Sequence, residues 1–362
     1  MTAETDRRHM AHALTLARRG LGQVWPNPAV GCVIVAEGRV VGRGHTQAGG
    51  RPHAERVALD MAGAAARGAT AYVSLEPCAH HGQTPPCAGA LAAAGVARVV
   101  TALEDPDPRV AGRGHAMLRA AGIAVTTGVL EAEARDLQRG FLTRIAAGRP
   151  MVTLKLALSL DGRIATRTGE SRWITGPAAR RAVHLLRATH DAVLIGGATA
   201  RGDDPLLTVR DLGIARQPVR IVASAALDLP AGGALARSAR AAPLWLVHAP
   251  GAPASPWRDL GAETIEVAAG PQGLDLPAML AALGGRGLTR VLCEGGGRLA
   301  AGLLAAGAVD EIVAFSAGLA LGAEARPGLG PLGLDRLAAA PRFALAETRV
   351  LGPDLMHRWL PA

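Results

Sequence analysis

His53-Ala54-Glu55 and, further on, Pro77-Cys78-Ala79-His80-His81-Gly82-Gln83-Thr84-Pro85-Pro86-Cys87 are the stretches whose reading settles the first half of the chain. One imidazole and two thiols form a three-ligand set for tetrahedral zinc, leaving the fourth position to water as catalytic sites do. Two thiolates nearly cancel the charge of the ion, so the water is only moderately acidified. A carboxylate must then take its proton and pass it to a leaving group. Glu55, two residues past the imidazole, stands where that shuttle is wanted. Helix N-termini beneath His53 and the cysteines would favour the thiolates further. The alternative is a closed structural site in which His80 or His81 adds a fourth ligand and Glu55 only solvates a helix. Such a site has no use for the glutamate.

Outward from these residues, helical and extended patterns alternate. Met10, Ala13, Leu14 and Ala17 share one helical face, residues 30–35 and 40–44 form a hairpin around Glu37-Gly38, and 54–66 is helical. Strands are expected at 71–75, 98–102 and 123–127, and helices at 87–94, near 115–121 and at 131–147, which together make an α/β sandwich. Gly148-Arg149-Pro150 ends the last helix, because the residue before proline avoids the helical region and glycine suits a C-terminal turn. Two domains follow, 1–147 and 148–362. The second is also α/β: strands at 152–158, 192–195, 219–222, 244–247, 264–267, 290–293, 311–315 and 343–350, with helices at 177–188 and 298–304. Glu294-Gly295-Gly296-Gly297 joins a strand to the second of these helices, a turn that suits a phosphate but, taken alone, reads more readily as an ordinary tight turn.

Composition bounds the function. A chain of 362 residues has room for two cores, and 49% hydrophobic against 19% charged residues reads as globular rather than disordered. No apolar window reaches the length of a membrane span, and residues 1–10 do not read as a secretory signal. A net charge of +9 suits an acidic partner, yet the arginines are scattered and aromatics are only 2%, which favours small phosphorylated ligands over nucleic acid. Four cysteines, Cys32, Cys78, Cys87 and Cys293, are too few for a disulfide framework, and a reducing cytoplasm is expected. Lys155 is the one lysine against thirty-eight arginines. It is either a chance survivor or a position that needs the compact ammonium that arginine lacks.

At His53-x-Glu55 and Pro77-Cys78 the sequence resembles the cytidine-deaminase-like superfamily, although eight residues rather than two separate its cysteines. That longer loop, together with Pro26-Asn27-Pro28-Ala29-Val30-Gly31, resembles the deaminase half of the bifunctional riboflavin-biosynthesis deaminase–reductase family. The resemblance implies that Asn27 holds a pyrimidine, that His53, Cys78 and Cys87 bind one zinc, and that Glu55 moves protons. Gln83 departs from the family, which has a basic residue there as a contact to the substrate phosphate.

Residues 155–165, beginning Lys155-Leu156-Ala157, together with 169–176 and 203–210, resemble the same family's reductase domain, related in fold to dihydrofolate reductase. The resemblance implies NADPH contacts from Ala157, Trp173, Thr199, Asp203, Gly296, Gly297 and Arg298. It implies substrate contacts from Ser171, Arg187, Leu207, Arg210 and Glu294, with Lys155 as a catalytic donor to the uracil carbonyl. Arg187 and Arg210 offer bidentate forks for a ribose phosphate. The expected whole is a cytidine-deaminase-like α/β/α sandwich followed by a dihydrofolate-reductase-like domain. It would act on a small phosphorylated pyrimidine, with no nucleic-acid or membrane partner, as a homo-oligomer through the reductase domain. Two other readings stay open: a deaminase acting on nucleic acid with a non-catalytic second domain, and a zinc-stapled binding protein in which Glu55 is dispensable.

Overall fold

The computed structural model describes residues 2–79, 85–108, 110–270 and 273–362. It divides into two compact units, Met1–Gly148 and Arg149–Ala362.

In the first unit the elements run α1 (Ala3–Ala17), β1 (Gly31–Ala36), β2 (Arg39–His45), α2 (Ala54–Ala62), β3 (Thr70–Val73), α3 (Cys87–Ala93), β4 (Arg98–Thr101), α4 (Arg113–Ala120), β5 (Ala124–Thr126) and α5 (Glu131–Ala147). The five strands form one sheet in the order β2-β1-β3-β4-β5. β1 is antiparallel to β2 and β3, while β3, β4 and β5 are parallel. Helices supply the parallel crossovers, as parallel pairs require. Met10, Ala13, Leu14 and Ala17 lie buried on one stripe of α1 and join Cys32–Val35 and Tyr72 in one core. Arg98 donates two hydrogen bonds to Asp6 (2.9 and 2.8 Å) and the Tyr72 hydroxyl donates a third (2.9 Å), which ties α1 to β3 and β4. The helix expected over 54–66 breaks at Gly63, and residues Gly63–Ala66 tighten into a 3₁₀ turn.

The second unit continues with β6 (Met151–Ser159), β7 (Arg163–Ala165), α6 (Pro177–Ala188), β8 (Ala192–Gly196), α7 (Gly197–Asp203), β9 (Val219–Ala223), α8 (Ala234–Arg237), β10 (Leu244–His248), α9 (Ser255–Asp259) and β11 (Glu263–Glu266). Then come β12 (Ala269–Gly270), β13 (Gly273–Leu274), α10 (Leu276–Gly285), β14 (Arg290–Cys293), α11 (Gly297–Ala305), β15 (Glu311–Ala317), β16 (Arg326–Pro327), β17 (Phe343–Leu351) and β18 (Asp354–Pro361). Nine strands form a sheet in the order β11-β10-β9-β8-β14-β6-β15-β18-β17, parallel from β11 to β15 and antiparallel at the end. The chain leaves β6, crosses to β8 and later returns to fill the gap with β14. The crevice outside the carboxyl ends of β6, β8 and β14 is the kind of place where open α/β sheets bind ligands.

The sequence reading named neither α10 nor β18. β18 pairs with both β15 and β17 and so completes the C-terminal hairpin.

Candidate active sites

In the first unit, His53 occupies the N-cap position of α2 and Cys87 begins α3, so both residues sit at the amide-rich ends of helices. Cys78 reaches them from the loop after β3. Glu76, just before it, fixes that loop: Oε1 accepts from Gly114 N (2.8 Å) and His115 N (3.2 Å), and Oε2 from Gly112 N (3.0 Å) and Asp105 N (3.2 Å). These bonds also satisfy the first amides of α4, a need every helix start has. Glu76, Glu104 and His115 are a second grouping of metal-capable side chains, but the Glu76 oxygens are already spent on backbone.

His53 Nδ1 lies 3.3 Å from Cys87 Sγ and 3.8 Å from Cys78 Sγ, and the Cys87 amide donates to Cys78 Sγ at 3.3 Å. The three ligand atoms lie within 4.8 Å of one another. Tetrahedral zinc with bonds of about 2.0–2.3 Å separates its ligands by about 3.3–3.8 Å, so this donor set fits the ion in both chemistry and spacing. The hydrogen bond from Cys87, more than the nearby His53, holds the Cys78 thiol down at about 4. Hydrogen bonding to Cys78 also raises the His53 pKa.

Glu55 is 3% exposed on the first turn of α2. Burial, with the Cys78 thiolate second, lifts its pKa to about 7, the range in which a carboxyl group can both accept and release a proton near neutrality. Cys32, fully buried on β1, is pushed well up by burial and remains a core thiol. His80, His81 and Gln83 lie outside the described residues.

In the second unit a cleft of about 870 Å³ opens at the carboxyl ends of β8 and β14. That is toward the large end of small-molecule sites. It gathers Lys155, Ala157, Ser171, Trp173, Arg187, Thr199, Asp203, Leu207, Arg210, Glu294 and Gly296. Two expected residues do not line it. Gly297 packs against the 327–330 segment, its carbonyl accepting from Gly330 N at 2.9 Å, and Arg298 is exposed on the first turn of α11. The turn after β14 needs its glycines: a Cβ on Gly295 would fall 2.5 Å from Ile195 Cα, so only a bare backbone lets the turn lie against β8.

Strand register explains the centre of the cleft. Cys293 pairs with Leu154, which places Glu294 beside Lys155, with Nζ 3.9 Å from Oε2. Arg187, read from the sequence as a phosphate fork, instead closes on Glu294, with Nε to Oε1 at 2.5 Å and Nη2 to Oε2 at 3.0 Å, and donates also to Thr208 O (2.9 Å). All three nitrogens of its guanidinium are thus committed within the protein. Burial alone would raise the Glu294 pKa, but Arg187 and Lys155 more than reverse that and keep it charged. Burial lowers the pKa of Lys155.

Helix α6 contributes two residues that the sequence reading missed. Arg180 and His184 precede the expected Arg187 at helical spacing along the cleft face, and that period was the available signal. The Arg180 guanidinium sits 4.6 Å from the Trp173 ring centroid, and His184 Nδ1 accepts from Arg210 N at 3.2 Å. Asp161 accepts from Ser159 Oγ (2.6 Å) and Gly322 N (2.7 Å), and these bonds depress its pKa to about 2.

Comparison with known proteins covers both units. The profile described as "Cytidine and deoxycytidylate deaminase zinc-binding region" matches residues 3–103, and "RibD C-terminal domain" matches 150–357. The chain is 46% identical over 360 residues to the riboflavin biosynthesis protein RibD of Escherichia coli, covering 97% of this chain and 98% of that one. It is 39% identical over 356 residues to the Aquifex aeolicus RibD, covering 98% of each. Among solved structures, Acinetobacter baumannii RibD superposes with a TM-score of 0.90 at 39% identity, covering 100% of both chains. A Thermotoga maritima protein described as a diaminohydroxyphosphoribosylaminopyrimidine deaminase/5-amino-6-(5-phosphoribosylamino)uracil reductase superposes at 0.89 with 32% identity, again over 100% of both.

Proposed function

Since the chain belongs to the RibD family of riboflavin-biosynthesis proteins, we propose the following division of labour among its residues. The protein is a bifunctional enzyme of riboflavin biosynthesis, with a zinc-binding deaminase domain and an NADPH-dependent reductase domain. It deaminates diaminohydroxyphosphoribosylaminopyrimidine and reduces the ribosyl side chain of the resulting 5-amino-6-(5-phosphoribosylamino)uracil to ribityl.

His53 Nδ1, Cys78 Sγ and Cys87 Sγ hold the zinc, which when bound lowers the pKa of water and supplies a nucleophile near neutral pH. Asn27 orients the pyrimidine. Glu55, buried and poised near 7, takes a proton from the attacking water and returns it to the departing amine.

NADPH, when bound, supplies the hydride. Ala157, Trp173, Thr199, Asp203 and Gly296 place it, and Ser171, Leu207 and Arg210 place the ribotide, Arg210 facing its phosphate. Lys155 donates to the uracil carbonyl, and Glu294 fixes the ammonium. Arg187 contributes by holding Glu294. The domain division at 147/148, action on small molecules rather than nucleic acid, and cytoplasmic location belong to the same proposal. So does assembly of copies through the reductase domain: β17 is an edge strand with Leu345 and Val350 exposed, the kind of edge a second copy can cover.

One observation carries the deaminase assignment: a buried carboxylate that is not in the three-ligand group but begins the same helix. Glu55→Gln should retain one zinc per chain and release ammonia at least about 100-fold more slowly, while NADPH oxidation is unchanged. Zinc loss in this variant, or undiminished ammonia release, would return Glu55 to a structural role.

A further inference from the structure

We infer that Gly50 is a positioning residue for deamination, its bare α-carbon providing the space in which the Asn27 carboxamide reaches the pyrimidine. The inference rests on the reading above that Asn27 contacts the ring, and the experiment below separates the two.

Gly50 is buried, with φ +85°, three residues before His53. A Cβ built on it would lie 1.9 Å from Asn27 Nδ2, 2.7 Å from Asn27 Cγ and 3.0 Å from Val24 O. The last atom is itself the acceptor for Asn27 N at 3.0 Å, so the turn presenting Asn27 lies flat against Gly50. The backbone around Asn27 is held from other directions. Gln138 Nε2 on α5 donates to Ala29 O (2.7 Å), and Val30 N donates to Thr46 Oγ1 (3.0 Å). With the backbone held, a methyl group at position 50 is relieved most cheaply by rotating the short Asn27 side chain away. The fold survives that movement, but the carboxamide does not keep its place. Because consecutive Cα atoms are about 3.8 Å apart, Gly50 lies at most about 11 Å from His53, and its contact with Asn27 also sets how far the ring-holding group stands from the metal ligand. Misplacement of a positioning group by about 1 Å costs about 100-fold in rate.

The adjacent Gly49 supplies the control. Its φ is +76°, so alanine there meets the same left-handed backbone penalty, yet a Cβ would have nothing within 4 Å. Four variants of the full-length, zinc-loaded protein decide the matter: Gly49→Ala, Gly50→Ala, Asn27→Ala and the double Asn27→Ala/Gly50→Ala. Gly49→Ala should deaminate within about 3-fold of the parent. Gly50→Ala should lose about 100-fold in kcat/KM, with KM raised and kcat lowered, while zinc content and NADPH oxidation hold. Asn27→Ala should lose a similar amount, and adding Gly50→Ala to it should change little, because no carboxamide remains to be displaced.

Gly50→Ala tracking Gly49→Ala would overturn the inference, as would losses that add in the double variant. Full activity in Asn27→Ala would remove the reading of Asn27 itself, and the inference with it. If Gly50→Ala is poorly folded, thermal midpoints answer instead: Asn27→Ala should bring the midpoint back to that of Gly49→Ala. A deficit that persists would place the clash on Val24 O and overturn the inference.

Discussion

Lys155 shows how a single residue's chemistry can be tested against composition. A chain with thirty-eight arginines and one lysine has accepted guanidinium almost wherever a cation is wanted, and the exception lies in the cleft beside Glu294. Guanidinium is broad and planar, whereas ammonium is compact and directs one N–H at one oxygen. Lys155→Arg should therefore lower reductase kcat/KM by about 30- to 1,000-fold, equivalent to about 2–4 kcal/mol, with deamination and the thermal midpoint close to the parent. NADPH oxidation and differential scanning fluorimetry on one preparation check this, and near-normal turnover would make the residue a compositional accident. The metal-capable group His53, Cys78 and Cys87, the burial of Glu55 beside it and the place of Lys155 in the cleft were foreshadowed in the sequence because the signals are local: residue type, short spacing, rarity. The partner of Arg187 was not. Glu294 is 107 positions away, and only the register of β14 on β6, with α6 beside them, brings the fork to the carboxylate.

At the scale of elements, His190 binds three of them. It follows α6, its Nδ1–H donates to Leu186 O (2.7 Å), and its Nε2 meets Thr153 Oγ1 on β6 at 3.0 Å. The Thr153 hydroxyl also lies 3.3 Å from Glu311 Oε1 on β15. Burial, with Arg290 second, depresses the His190 pKa from 6.5 to about 4. The unfolded chain therefore takes up a proton below about 6.5 that the folded one refuses until about 4. Folding stability falls as pH drops through that window, by about 3 kcal/mol in all, with the loss complete below the folded value. Urea unfolding from pH 7 to pH 4 should show a shallower decline in His190→Asn than in the parent. Parallel curves would mean that His190 does not titrate as its burial implies. The long, strongly patterned elements were readable: helix 131–147 and helix 177–188 stand where periodicity put them. β18 escaped because its Asp354–Pro361 run mixes buried, half-buried, exposed and charged positions without clean alternation, and its strand identity is supplied by pairing to β15 and β17.

For the whole molecule, the two units carry chemically independent sites, one needing a metal and one needing a dinucleotide. Each has its own sheet, and the helix ending at Ala147 is closed by Gly148 in the left-handed region, its N–H bonded to Arg144 O at 3.0 Å. Expression as 1–148 and 149–362 should give two cooperatively unfolding pieces, the first with chelator-sensitive ammonia release and the second with chelator-insensitive NADPH oxidation. Fragments that regain structure only when mixed would show that the units fold as one. The solitary lysine has one more consequence at this scale. A protease that cuts only after lysine has a single target, in the middle of β6, which is hydrogen-bonded along both edges by β14 and β15. A strand so placed enters a protease cleft only after leaving the sheet. The appearance of two bands on a gel therefore clocks the opening of the nine-stranded sheet, in the presence or absence of either ligand, without a label or an engineered site.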